Sequence, residues 1–191
     1  MRILLLLVIL ALGAWADSPL TSTDFWRAYQ ELPQVKEARD IERLNTRLAN
    51  FLLDAKKPID QKAAVINALS WNFYGRQNAM LFREVLGQKY KCPPEVVEPR
   101  VTSSELFCLA YLTALDDYFN VKPALKLSAQ ARKRNPTSYT VAIVDGLIRS
   151  QPRLEWAPIG AVVADRSLKM DLRPQANRII LDYMRLYRPK G

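Results

Sequence analysis

The 191-residue chain contains no histidine, so acid–base chemistry would fall to its carboxylates. A Ser-His-Asp or Cys-His arrangement, a His-ligated zinc and a His-held haem are excluded. Asp116 and Asp117 are adjacent, and neighbours on a helix point about 100° apart, so they do not converge as a pair. Asp116 is expected at a solvated helix end, within reach of Lys122 or Lys126. Glu84 stands among Phe82, Val85 and Leu86, and Glu155 precedes Trp156. A glutamate in an apolar pocket can keep its proton and serve as a general acid, as in glycan-cleaving enzymes. Neither residue lies in a lytic-enzyme motif, and there is no phosphate-binding glycine loop. No catalytic residue and no cofactor is assigned.

Groups that could bind rather than react are easier to find. The stretch SWNFYGRQ (70–77) crowds Trp71, Phe73 and Tyr74 ahead of Gly75 and Arg76. Trp71 and Tyr74 are three apart and share one side of a helix, with Arg76 following. They could stack on a sugar or a partner chain, or fill the wedge where a helix stops at Gly75. Basic side chains cluster at Arg132, Lys133 and Arg134, where a helix C-terminus favours cations. On the last helix, Arg178 and Arg185 share a face, with Asp182 between them able to pair with either. Cys92 and Cys108 are the only cysteines. In an oxidising compartment an even pair reads first as a disulfide; two thiols without histidine supply only half a zinc site.

That compartment is inferred from the N-terminus. Arg2 precedes an apolar run from Ile3 to Ala14, then Ala14-Trp15-Ala16 and Asp17-Ser18-Pro19. This pattern is a secretory signal peptide cleaved after Ala16, the alternative being an uncleaved anchor. The run is shorter than the roughly 20 residues that span a bilayer, and no later segment is apolar enough to do so. Residues 17–191 are then one exported domain, periplasmic or secreted. Of the net charge of +9 the leader carries only Arg2. Such a balance favours acidic partners: another protein or an anionic envelope component. Nucleic acid is a poor fit for an exported chain without a nucleic-acid module.

The elements that must carry these groups are helical throughout. Apolar periodicity and caps place helices at 24–32, 35–56, 59–74 and 77–89. A proline-rich loop (KCPPEVVEPR) follows. Further helices are placed from a cap at Ser103 or Ser104 through Asp116, and at 121–134, 137–150 and 159–170, with a last one from Pro174 to about Tyr187. Along this last helix Ile179, Ile180, Tyr183, Leu186 and Tyr187 form the expected core stripe. No strand is expected.

Pro58, Pro99, Pro136 and Pro174 are 41, 37 and 38 residues apart. AAVINALS (63–70) and VAIVDGLI (141–148) match apolar positions in register, with Asn67 facing Asp145. A period of this size with two helices per unit is a helical-repeat signature. The stretch ALKLSAQARKRNPTSYTVAIVDGLI resembles a degenerate tetratricopeptide repeat. Ala124 and Ala131 stand where small residues let paired helices approach, Pro136 at the inter-repeat turn and Gly146 on the next helix. ADRSLKMDLRPQA (164–176) is similar to the end of such a repeat. The match spans about half of the mature chain, with units longer than that family's 34 residues. It implies an α-solenoid and a protein-binding role.

The fold expected is all-α: antiparallel helix pairs stacked as a short α-solenoid or an irregular helical bundle. The function expected is a non-catalytic binding or scaffold module, with a groove lined by inner helices and basic side chains favouring acidic segments. An inhibitor or immunity-type partner would look the same. The rival class is a carboxylate-based glycan-acting enzyme or a glycan-binding accessory protein. A buried, unpaired glutamate beside Trp or Tyr in an open cleft would favour the enzyme.

Overall fold

The computed structural model describes residues 18–71 and 77–189. Among them, a 3₁₀ turn at Phe25–Tyr29 precedes nine α-helices: α1 Pro33–Ile41, α2 Thr46–Leu53, α3 Ile59–Leu69, α4 Asn78–Tyr90, α5 Ser103–Asp116, α6 Lys122–Arg134, α7 Tyr139–Ser150, α8 Ala157–Ala164 and α9 Pro174–Met184. The all-α class is therefore as expected; the described residues hold no strand, only an isolated parallel bridge between Ser138 and Lys169.

Local chemistry explains the boundaries, including those that differ from expectation. The stripe read as one helix over 35–56 is two helices. Glu42 takes a left-handed φ of 49° and ends α1, and the Asn45 side chain accepts from the Leu48 N–H at 2.9 Å to start α2. Thr102 rather than Ser103 or Ser104 caps α5. Its hydroxyl accepts from the Glu105 N–H while the Glu105 carboxylate accepts from the Thr102 N–H, a reciprocal capping box. α3 stops at Leu69, five residues before the expected end, with Ser70 at a φ of 60°. Residues 72–76 lie outside the described residues, so Gly75 and its turn do too, as does the leader. α8 ends at Ala164 rather than continuing to Met170, because the chain turns at Asp165 to place Lys169 beside α7. There the Lys169 N–H donates to the Thr137 carbonyl and the Tyr139 N–H to the Lys169 carbonyl.

Helices α3, α5 and α7 pack on one another at the centre, and their sequences require it. Every residue from Lys62 to Leu69, from Glu105 to Leu112 and from Tyr139 to Ile148 is buried. Such all-round burial marks core helices rather than one-sided amphipathic ones. α4 packs on α5, α6 on α5 and α7, and α8 on α7. Gly146 lets α8 approach, since a Cβ there would meet Ile159 Cδ1 at 2.9 Å.

The N-terminal and C-terminal parts of the described residues meet. The 3₁₀ turn packs on both α3 and α9. The Tyr29 hydroxyl donates to Asp60 at 2.8 Å and accepts from the Arg173 N–H at 3.1 Å. The Arg173 guanidinium lies 4.2 Å from the Tyr29 ring and donates to the Ala28 carbonyl at 2.8 Å. Ser18 Oγ donates to Gln151 at 2.6 Å, and the Leu20 N–H donates to the same oxygen.

Candidate binding surface

Three carboxylates, the buried Glu105 and Asp145 and the half-buried Asp116, are committed to the fold. Glu105 is enclosed on α5 and accepts from Lys89 at 2.5 Å, from Tyr90 at 2.7 Å and from the Thr102 N–H at 2.8 Å. Burial pushes its carboxyl up, but these donors outweigh it and hold the carboxyl below the ordinary glutamate range. Asp145 on α7 accepts from Ser128 Oγ at 2.7 Å, and burial nonetheless raises its pKa. Asp116, expected at a solvated end, instead accepts from the Ala79 N–H at 2.7 Å. α4 begins after Gln77, which has a φ of 56° and offers no side-chain cap. Its free N–H groups are therefore satisfied from α5, across 37 residues of sequence. No local cap residue announces this; the missing cap at Gln77 was the available signal.

Burial raises the Asp116 pKa, against the Ala79 and Asn78 N–H groups that lower it. A folded pKa above the unfolded one favours the protonated form. Its stability is then complete below the unfolded pKa and declines as pH rises through the folded pKa. Asp116→Asn keeps an acceptor and removes the buried charge. It should match or exceed the parent at pH 7 in urea unfolding and show a smaller gain on acidification towards the carboxylate range. Asp116→Ala should lose about 1 kcal/mol with the cap. Equal pH profiles for parent and Asn variant would refute this role.

A pair joining a buried lysine to a half-buried serine has the look of chemistry. Lys62 Nζ donates to Ser104 Oγ at 2.9 Å, the arrangement of an amine that activates a serine. Lys62 is 1% exposed, and the clefts beside α4 include neither residue. The pair ties α3 to α5. Those clefts, of 190–330 Å³, lie along the outer side of α4. They are lined by Glu84, Gln88, Pro94 and Met80 among others, and Glu84 is exposed there. Glu155 is half-buried.

The predicted site residues divide by what they touch. Trp71 is half-buried and meets the Tyr118 ring edge-on at 5.0 Å, a packed corner. Tyr74 and Arg76 lie outside the described residues. Beside this corner the Phe119 ring is exposed, 65% accessible and 4.2 Å from Tyr118; a single aromatic between two helices gave no pattern to mark it. Arg132 donates to the Asn135 and Pro136 carbonyls and faces Asp165 at 3.6 Å. Arg134 donates to the Val101 carbonyl at 3.0 Å. Arg185 pairs with Asp182 at 2.6 Å, settling which arginine that aspartate takes. Lys133 and Arg178 are exposed and make no ion pair among the described residues. Of the five basic positions, three are therefore engaged by the fold and two remain free.

Two expectations are corrected. Cys92 and Cys108 are free thiols rather than a disulfide. Cys108 is enclosed on α5, where burial pushes its thiol up to about 12, whereas Cys92 lines a cleft with Gly87 and Pro94 at the end of α4. Leu186, expected in the core stripe of the last helix, is 73% exposed. α9 ends at Met184, and the 3₁₀ turn Arg185–Tyr187 changes the angular register of the residues after it.

Because α3, α5 and α7 are enclosed, the surface open to a partner belongs to the outer elements. Its C-terminal part is basic: from Arg149 to Arg188 the chain has eight basic and four acidic residues. Asp171 is taken up inside by Ser138 and Thr140, and Asp165 and Asp182 by Arg132 and Arg185. These features define the molecule as an all-α helical protein with a basic outer surface. No family model, no curated protein and no solved structure matches the chain.

Proposed function

We propose that this protein is an exported, non-catalytic helical module that binds an acidic macromolecule by surface complementarity. One observation carries the reading. The buried carboxylates are spent on helix caps and internal hydrogen bonds, while exposed cations such as Lys133 on α6 and Arg178 on α9 stay unpaired. The uncompensated positive charge therefore faces outward, where it steers and holds anionic partners. The tetratricopeptide-like stretch supports the same reading, with outer helices rather than an inner groove as the contact.

The test is binding to fluorescent polyglutamate, followed by anisotropy at rising salt. Lys133→Glu with Arg178→Glu should weaken binding about tenfold at low ionic strength. A control of equal charge, Lys36→Glu with Lys56→Glu, changes exposed lysines in the N-terminal part and should weaken it far less. Equal losses in the two pairs would reduce the effect to net charge and overturn the reading.

A further inference from the structure

We infer that the end of the molecule formed by Leu154, Trp156, Leu186 and Arg188 is a docking face for an anionic lipid bilayer. This rests on the binding reading above and names its partner. Trp156 precedes α8 and lies over Gly160, where a Cβ would come within 2.6 Å of the indole Nε1. The Arg188 guanidinium stands 5.9 Å from the same ring. That contact brings the C-terminal segment, with Leu186 two residues away, to the start of α8. Leu154 is two residues before Trp156 and 36% exposed.

Three observations converge on lipid. α8 (APIGAVVA) has no charged residue, although Ala161, Val163 and Ala164 on it are exposed. Leu154 has a left-handed φ of 51°, a conformation costing about 1 kcal/mol or more for a residue with a Cβ. The other non-glycine residues with positive φ among those described, Glu42, Ser70, Gln77 and Lys91, are polar and flank helix ends. Leu154 is the apolar exception among them. Basic residues border the apolar ones: Arg153 beside Leu154, and Arg185 and Arg188 around Leu186. An indole with adjacent arginines and leucines suits the headgroup level, where apolar side chains enter and cations meet anionic lipid.

Residues 17–191, which hold every described element, can be sedimented with vesicles of phosphatidylcholine alone or mixed equally with phosphatidylglycerol. Binding to the mixed vesicles should exceed binding to the neutral ones at least about tenfold at low salt, since each arginine near the surface contributes about 1 kcal/mol. Leu154→Ser with Leu186→Ser should lose about tenfold, and so should Arg153→Glu with Arg188→Glu, with unchanged helical dichroism. Equal sedimentation on both vesicles, or no effect of either pair, overturns the lipid assignment. If polyglutamate still binds in a Lys133- and Arg178-dependent way, the partner is an acidic protein and only this inference falls. If that fails too, both readings fall.

Discussion

Asn67→Leu is expected to destabilise the fold by roughly 3–5 kcal/mol, the largest loss foreseen for a single polar substitution here. Asn67 is buried on α3 and serves three partners. Its Oδ1 accepts from the Trp26 N–H at 2.9 Å, and its Nδ2 donates to the Thr23 carbonyl at 3.2 Å and to the Tyr111 hydroxyl at 3.0 Å. It thereby fixes the N-terminal 3₁₀ turn to α3 and both to α5. Leucine fills a similar volume but leaves three groups in and around the core without partners, each costing about 1–3 kcal/mol. In urea unfolding the midpoint should fall by about 2 M for a slope near 2 kcal/mol/M, with the slope itself unchanged. Tyr111→Phe removes one of the three bonds and should cost only about 1 kcal/mol. A loss below about 1 kcal/mol for Asn67→Leu would show that water replaces the amide and that Asn67 is no hub.

Arg173→Ala should cost roughly 2 kcal/mol and act at a distance. The guanidinium joins the C-terminal part to the N-terminal turn through the Ala28 carbonyl and the Tyr29 ring. A hydrogen bond from a charged donor and a partly desolvated cation–π contact account for that magnitude. The side chain is 36% exposed, so the lower part of each range applies, and the exposed Glu31 partner is not counted. Hydrogen exchange should accelerate in α9 and in residues 25–32 together. Faster exchange in α9 alone would mean that the two ends are held independently.

The helical class was legible because helix periodicity, proline positions and cap residues are local signals. Pro123 and Pro174 lie in the first turns of α6 and α9 as read, whereas Pro33, read as the stop of a preceding helix, begins α1. The break at Glu42 was not legible, since the apolar spacing continues across it and only Asn45 marks the restart. How the helices assemble was not legible either. The proline period suggests an array that extends by stacking, but Tyr29 and Arg173 meet across 144 positions. At the candidate site, residue type identified the basic positions but not their occupation. Arg132 and Arg134 look as free as Lys133 until the carbonyls that hold them are seen. Leu154 and Leu186 carried no signal, because a lone leucine in a helical sequence reads as core.

The junction of the two ends also sets the order in which the chain can be completed. Ser18, Phe25 and Tyr29 are made well before partners such as Gln151 and Arg173, which follow more than 130 positions later. Until then the rings of Phe25 and Tyr29 lack part of their enclosure, and Arg173 cannot cover Ala28. Closing so long a loop is slow, and the apolar surface waiting for it is open to wrong contacts. A chain paused or truncated before residue 173 should therefore fold α3 to α7 yet keep its beginning unsettled. Quality control would meet this protein at the segment around Phe25 and Tyr29.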